Sequence, residues 1–306
     1  MRSVLPAALI LLAACGSDYR YTTTPDVPDV PVDDGSVVDE WDLAGMNVKA
    51  DVIFYGDTSF SMTEELQTMG AEITSFVERL TTNAPDWHLM AVTGPTGCAQ
   101  GGVLHPGIAN WETRFANGIL TKPTDDTQDE MGLQNTVEAL RRSGSGCNAG
   151  FLRPDAQLHV IYISDENDES PGWETSTYWE DYVNQIVAIK GDPSLVRMSG
   201  VGGPVPNGCN GADPSFGYSD AALATGGEFV SICGDWASQL DDLADLSTSR
   251  DTFALSETPD LNTLVVTVDD VDRFGDWVYN PSTTSVQFVQ HAPTGGQVVR
   301  ISYIRL

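Results

Sequence analysis

The sequence predicts an α/β protein. A doubly wound, mainly parallel sheet flanked by helices is expected over residues 46–248, with a small all-β module over 252–306. Two observations carry this expectation. Between 46 and 248, short runs that are apolar on both faces take turns with longer segments whose apolar residues recur at helical spacing. That is the pattern of parallel strands covered by helices on both sides. After 252 the apolar period becomes two and helical segments stop. With 306 residues of which 41% are apolar, the chain can bury a core of this size.

The elements follow in order. The run NVKADVIFYG reads as a buried strand, since Val52, Ile53, Phe54 and Tyr55 leave no polar face. TEELQTMGAEITSFVERLTT follows as a helix, with Leu66, Met69, Ile73, Phe76, Val77 and Leu80 on one side. WHLMAVTG is the next strand. DEMGLQNTVEALRRS is helical, with Met131, Leu133, Val137 and Leu140 available for packing. LHVIYIS is a strand, STYWEDYVNQIVAIKG a helix, LVRMSGVGG a strand and YSDAALATGG a helix that stops at glycine. EFVSIC and DWASQLDDLADLS add a last strand and helix. In the all-β part, TLVVTVDDV, DWVYNP, TSVQFVQHAP and QVVRISYIRL are short strands between turn signals. Asp269, Asp270, Asp272 and Asp276 cluster there. They could bind calcium, but solvated turn acids are the better reading.

The N-terminal stretch MRSVLPAALILLAACGSD has a basic start, a short apolar run, small residues and then Cys15. It resembles a bacterial lipoprotein signal. The resemblance implies removal of residues 1–14, lipidation of Cys15 and a lipid anchor in a bacterial membrane. Gly16 and Ser17 follow the cysteine rather than aspartate, which points to the outer membrane. Residues 15–45 then read as an acidic, proline-rich tether, because the repeated Pro-Asp-Val favours extended, solvated chain.

Charge narrows the partners. With 15 basic against 44 acidic residues and a formal net charge of −29, a nucleic-acid partner is excluded for want of a basic footprint, and cations are the natural small partners. Apart from Cys15 the chain has Cys98, Cys147, Cys209 and Cys233, an even number that suggests two disulfides outside the cytoplasm; three pairings are open. Zinc is disfavoured because no C-x-x-C pair occurs. No H-E-x-x-H, G-x-S-x-G or phosphate-binding G-x-x-x-x-G-K-[ST] is present, and His88, His105, His159 and His291 are scattered, so no enzymatic activity is expected.

The stretch DVIFYGDTSFSM ends a core strand with oxygen side chains at alternate positions, Asp57, Ser59 and Ser61. A second oxygen-rich loop, TDDTQDEMGL, precedes a helix, and a third, Asp165-Glu166-Asn167-Asp168, follows LHVIYIS. In a doubly wound sheet, ligands bind outside the carboxyl ends of the strands, where these loops fall. A D-x-S-x-S loop, a threonine before a later helix and an aspartate after a central strand together resemble the von Willebrand factor type A domain and its metal-ion-dependent adhesion site. The resemblance covers about 46–248. It implies Asp57, Ser59, Ser61, Thr127 and Asp165 as metal ligands. Two positions depart from the pattern: Phe60 stands between the serines where a small residue is usual, and Gly56 where a branched apolar residue is commoner.

The metal implied is Mg²⁺, alternatively Ca²⁺ or Mn²⁺; Glu166, Asp168 and Asp129 are further oxygen donors that calcium could use. Serine and threonine hydroxyls are neutral ligands, so the ion keeps positive charge and an open position for a carboxylate from a protein partner. On the fold that the resemblance implies, Cys98–Cys147 flank the second site loop and Cys209–Cys233 flank the last helix–strand unit. Two alternatives stay open at this point: a metal-dependent hydrolase with Glu166 or Asp168 as base, and a calcium-stabilised scaffold that offers its metal to no partner.

Overall fold

The computed structural model describes residues 34–43, 48–122, 130–281, 284–294 and 296–306. Strand β1 is Ser36–Asp42, β2 Lys49–Gly56, and helix α1 Thr63–Asn83. Strands β3 (Asp86–Val92) and β4 (Gln100–Leu104) precede helices α2 (Trp111–Ile119) and α3 (Gly132–Arg141). Then come β5 (Gln157–Ile163), α4 (Tyr178–Lys190), β6 (Val196–Gly202), α5 (Tyr218–Ala224), β7 (Phe229–Ser231) and α6 (Leu240–Leu246). The remaining strands are β8 (Thr252–Ala254), β9 (Val265–Val268), β10 (Val271–Asp272), β11 (Trp277–Asn280), β12 (Ser285–Phe288) and β13 (Val298–Ile304).

The six-stranded sheet runs β4-β3-β2-β5-β6-β7 and is parallel except for β4, which pairs antiparallel with β3. Strand β2 shows why its sequence has no polar face. Val52 and Phe54 join one core with Leu66 and Phe76 of α1, Phe115 of α2 and Leu243 of α6. Ile53 and Tyr55 join the opposite core with Leu133 of α3, Ile186 of α4 and Tyr218 of α5. Edge-on rings lock the first core, with Phe54 centred 5.1 Å from Phe76 and 5.3 Å from Phe115. The expected α/β class is therefore found, with helices on both faces.

Four elements depart from expectation. Strand β4 carries Gly101 and Gly102 and no apolar run, and α2 follows an Asn110 at positive φ, so neither β4 nor α2 shows the expected sequence signal. Ser36–Asp42 is not tether: it pairs with β13 from Ser36↔Ile304 to Asp42↔Val298. That strand alternates exposed and half-buried residues, and Trp41 packs edge-on against Phe253 at 5.1 Å. The helix expected from Asp129 begins only at Gly132.

The β module has a four-stranded sheet, β1-β13-β9-β10, and a three-stranded sheet, β11-β12-β8. Phe253, Val266, Val268, Val286, Phe288, Val299 and Ile301 fill its core. Its aspartates have separate partners. Asp269 accepts from the Val298 N–H and Gln297, Asp270 pairs with Arg300, Asp272 accepts from the Phe274 N–H, and His291 meets Asp276 at 3.2 Å. The turn reading fits this arrangement.

Candidate metal centre

The two central parallel strands, β2 and β5, end side by side, and the Asp57 N–H continues their ladder by donating to the Ile163 carbonyl at 3.0 Å. This bond sets Asp57 beside Ser164 and Asp165. Gly56, the departure at the strand end, has a packing cause. A Cβ there would meet Ile119 of α2 at 2.8 Å and Leu66 of α1 at 3.0 Å, so the two helices fill the space a branched residue would take.

Asp57 is buried, and both its oxygens accept. Oδ1 takes the Ser59 N–H at 2.7 Å and Oδ2 takes the Ser164 hydroxyl at 2.8 Å. The first bond closes an Asx turn, and the next residues, Phe60–Met62, make one 3₁₀ turn that leads into α1. In that turn the Ser59 and Ser61 hydroxyl oxygens lie 3.0 Å apart. Asp165 is also buried, and its Oδ1 has no hydrogen-bond partner. Its carbonyl takes the Asp213 N–H at 2.8 Å, which ties it to the loop after β6.

The electrostatics tie these groups together. Burial pushes Asp57 above the usual carboxylate range; the Ser59 N–H and Ser164 hydroxyl pull it back, and the charge of Asp165 raises it again. Burial also raises Asp165, opposed by the Ser61 hydroxyl and reinforced by Glu65 and Asp213. Glu130, buried just before α3, is pushed up to about 8 by burial and by the charges of Asp57 and Glu166. Glu166 rises through burial and then through Asp57 and Asp165. No lysine or arginine is among the main influences on these four carboxyls.

The structure thus brings Asp57, Ser59, Ser61 and Asp165 together. Thr127 and Asp129 lie outside the described residues, as does Cys15. Asp168, named above as a calcium donor or base, is committed elsewhere. Its Oδ1 accepts from the Leu133 N–H at 2.9 Å and the Ser170 hydroxyl at 3.0 Å, so it braces the start of α3. None of the histidines hydrogen-bonds to the four site residues in the contacts described: His88 meets the Phe151 carbonyl and His159 two buried serines. Sequence reasoning missed Ser164 and Glu130. The first follows an unbroken apolar strand, and the second stands among many acids in one loop.

Among the described residues, no group of three or more His, Cys, Asp and Glu is arranged to hold a metal ion. The converging donors are instead two carboxylates and two hydroxyls. They are hard oxygen donors that suit Mg²⁺ or Ca²⁺ rather than a soft ion. The orphaned Asp165 Oδ1 and the absence of a basic side chain among the main influences are what a cation would resolve. These four residues fit the implied ion.

The cysteines pair as Cys98–Cys147 and Cys209–Cys233, with Cα atoms 5.6 and 6.3 Å apart. No helix among the described residues is long and apolar enough to cross a membrane.

No family model matches the chain, and no curated protein does. Among solved structures it is similar to a von Willebrand factor type A protein from Catenulispora acidiphila, with 14% identity and a TM-score of 0.46 over 89% of this chain and 65% of that one. It is also similar to proximal thread matrix protein 1 from the mussel byssus (15% identity, TM-score 0.42, 69% of this chain and 50% of that one). A third is the pilus adhesin SpaC from Lactobacillus rhamnosus GG (12% identity, TM-score 0.37, 84% and 39%). The chain thus spans less than two thirds of each. The fold assignment rests on the sheet order given above.

Proposed function

We propose that the α/β part is a von Willebrand factor type A-like binding domain. In this reading, Asp57, Ser59, Ser61 and Asp165, with Thr127 as the sequence resemblance implies, hold a divalent metal through which the chain binds a protein partner. One observation carries the reading: two buried carboxylates and two facing hydroxyls converge at the carboxyl end of the central strands, and the Asp165 Oδ1 has no donor. When bound, the ion would supply positive charge and a coordination position that a partner's carboxylate can fill. The chain's own residues do the rest. The Ser59 N–H and Ser164 hydroxyl orient Asp57, and the Asp213 N–H orients Asp165 through its backbone. The lipidation signal at Cys15 supports a lipid anchor in a bacterial membrane, the outer membrane by the residues that follow the cysteine, with this domain facing the surface or the periplasm.

The test is thermal unfolding with Mg²⁺, Mn²⁺ or Ca²⁺. A ligand at 100 times its Kd stabilises the folded state by about 2.7 kcal/mol. The wild type should show a corresponding rise in Tm, and Asp57→Ala should show none. Equal rises in both proteins mean that the acidic surface binds ions nonspecifically, and the reading fails.

A further inference from the structure

Phe60 sits between Ser59 and Ser61 and is 93% exposed. Scattered exposed rings are ordinary on a protein surface, and Phe274 is as exposed. The setting of Phe60 is different. The backbone around it is held on both sides: the Ser59 carbonyl takes the Met62 N–H at 3.2 Å, and the Phe60 carbonyl takes the Thr63 hydroxyl at 2.8 Å. Met62 is fully buried in the core, and the two serine hydroxyls face one another. The ring thus stands in solvent on the residue between the two serines whose hydroxyls meet. The loops that follow β5 and β6 at the same end of the sheet also expose an aromatic ring each, Trp173 and Phe216, at 45%.

Resting on the metal-binding reading above, we propose that Phe60 is a specificity-determining residue: it selects a protein segment whose metal-seeking carboxylate is flanked by an apolar or aromatic side chain. Charge complementarity sets half of the occupant, because a crevice that demands a cation then takes an anion through it. The ring sets the other half. A ring left in water one residue from each serine gains by being covered, and an apolar group next to the partner's carboxylate covers it. A plain acidic segment would leave the ring wet, and the domain's own acidic surface would repel it.

The experiment uses the full chain loaded with Mn²⁺ and follows carboxylate binding by water-proton relaxation. Acetate and 3-phenylpropionate are the probes, both ionised at pH 7. In the wild type, 3-phenylpropionate should bind about tenfold tighter than acetate, equivalent to about 1.4 kcal/mol. In Phe60→Ala the margin should shrink to within about twofold, while Mn²⁺ and acetate affinities stay unchanged, and Phe60→Leu should fall between. An equal margin in the wild type and Phe60→Ala, with Mn²⁺ and acetate still binding, overturns this inference alone. A margin that survives in Asp57→Ala overturns the metal reading as well, because the readout needs Mn²⁺ bound there. Failure of Mn²⁺ to bind the wild type overturns the metal reading and this inference together.

Discussion

His159 on β5 should make the protein acid-labile in a way that one substitution removes. It is fully buried, and its neighbours dictate its protonation. The Ser247 hydroxyl donates to the Leu243 carbonyl at 2.9 Å, so at 2.7 Å from Nδ1 it must accept the imidazole proton. The Ser199 oxygen takes the Glu228 N–H at 3.0 Å and turns its own proton to Nε2 at 2.8 Å. One neutral tautomer satisfies every group, and a second ring proton has no acceptor. Burial, then the charge of Arg197 on the adjacent strand, pushes the His159 pKa down to about 3 from the usual 6.5. The unfolded chain therefore binds a proton that the folded chain refuses. The stability this represents is complete above pH 6.5 and is lost as pH falls toward 3. Between pH 7 and 5 the loss is about 2 kcal/mol, from a reference pKa of about 6.5. Buried Asp51 and Asp168, each raised to about 6, act with the opposite sign, so the measurement is a difference. Urea unfolding of wild type and His159→Gln at pH 7, 6 and 5 cancels those carboxylates. The variant will be less stable at pH 7, and its deficit should shrink by about 2 kcal/mol by pH 5. Parallel pH profiles, or a His159 ring resonance that titrates near pH 6.5, would refute the reasoning.

Reducing or replacing Cys209–Cys233, which closes a sequence separation of 24 residues, should cost about 3–4 kcal/mol of stability on the loop-entropy estimate, read from denaturant midpoints with and without reductant. Gly203→Ala should weaken metal binding as well as folding, because a Cβ there overlaps the Asp213 carbonyl in the loop whose N–H holds Asp165; unaltered Mn²⁺ affinity in isothermal titration would contradict this. Cys15→Ser should abolish labelling by fatty acid and release the protein from the membrane fraction, and unchanged fractionation would end the lipoprotein reading.

By itself the sequence determined the layer architecture. A parallel strand between two helix layers must be apolar on both sides, and Val52, Ile53, Phe54 and Tyr55 say so without reference to any other residue. It also ordered the candidate donors, since Asp57, Ser59 and Ser61 lie within one turn and Asp165 directly follows an unbroken strand. What it left undecided depends on partners distant along the chain. Ser36–Asp42 reads as solvated tether until β13 offers it an edge, because hydrogen bonds between strands leave no local mark. Strand β4 escapes for the same reason: its glycines carry no apolar pattern, and its pairing with β3 supplies the order. Only the tertiary structure decided which acids meet. Asp165 and Asp168 are three positions apart in one loop, yet one is left with an unsatisfied oxygen beside Ser61 and the other is spent on the Leu133 N–H of α3 and on Ser170. Periodicity reports which side of an element is buried, whereas the direction of a carboxylate at a strand end is set by whichever donors the neighbouring loops bring to it.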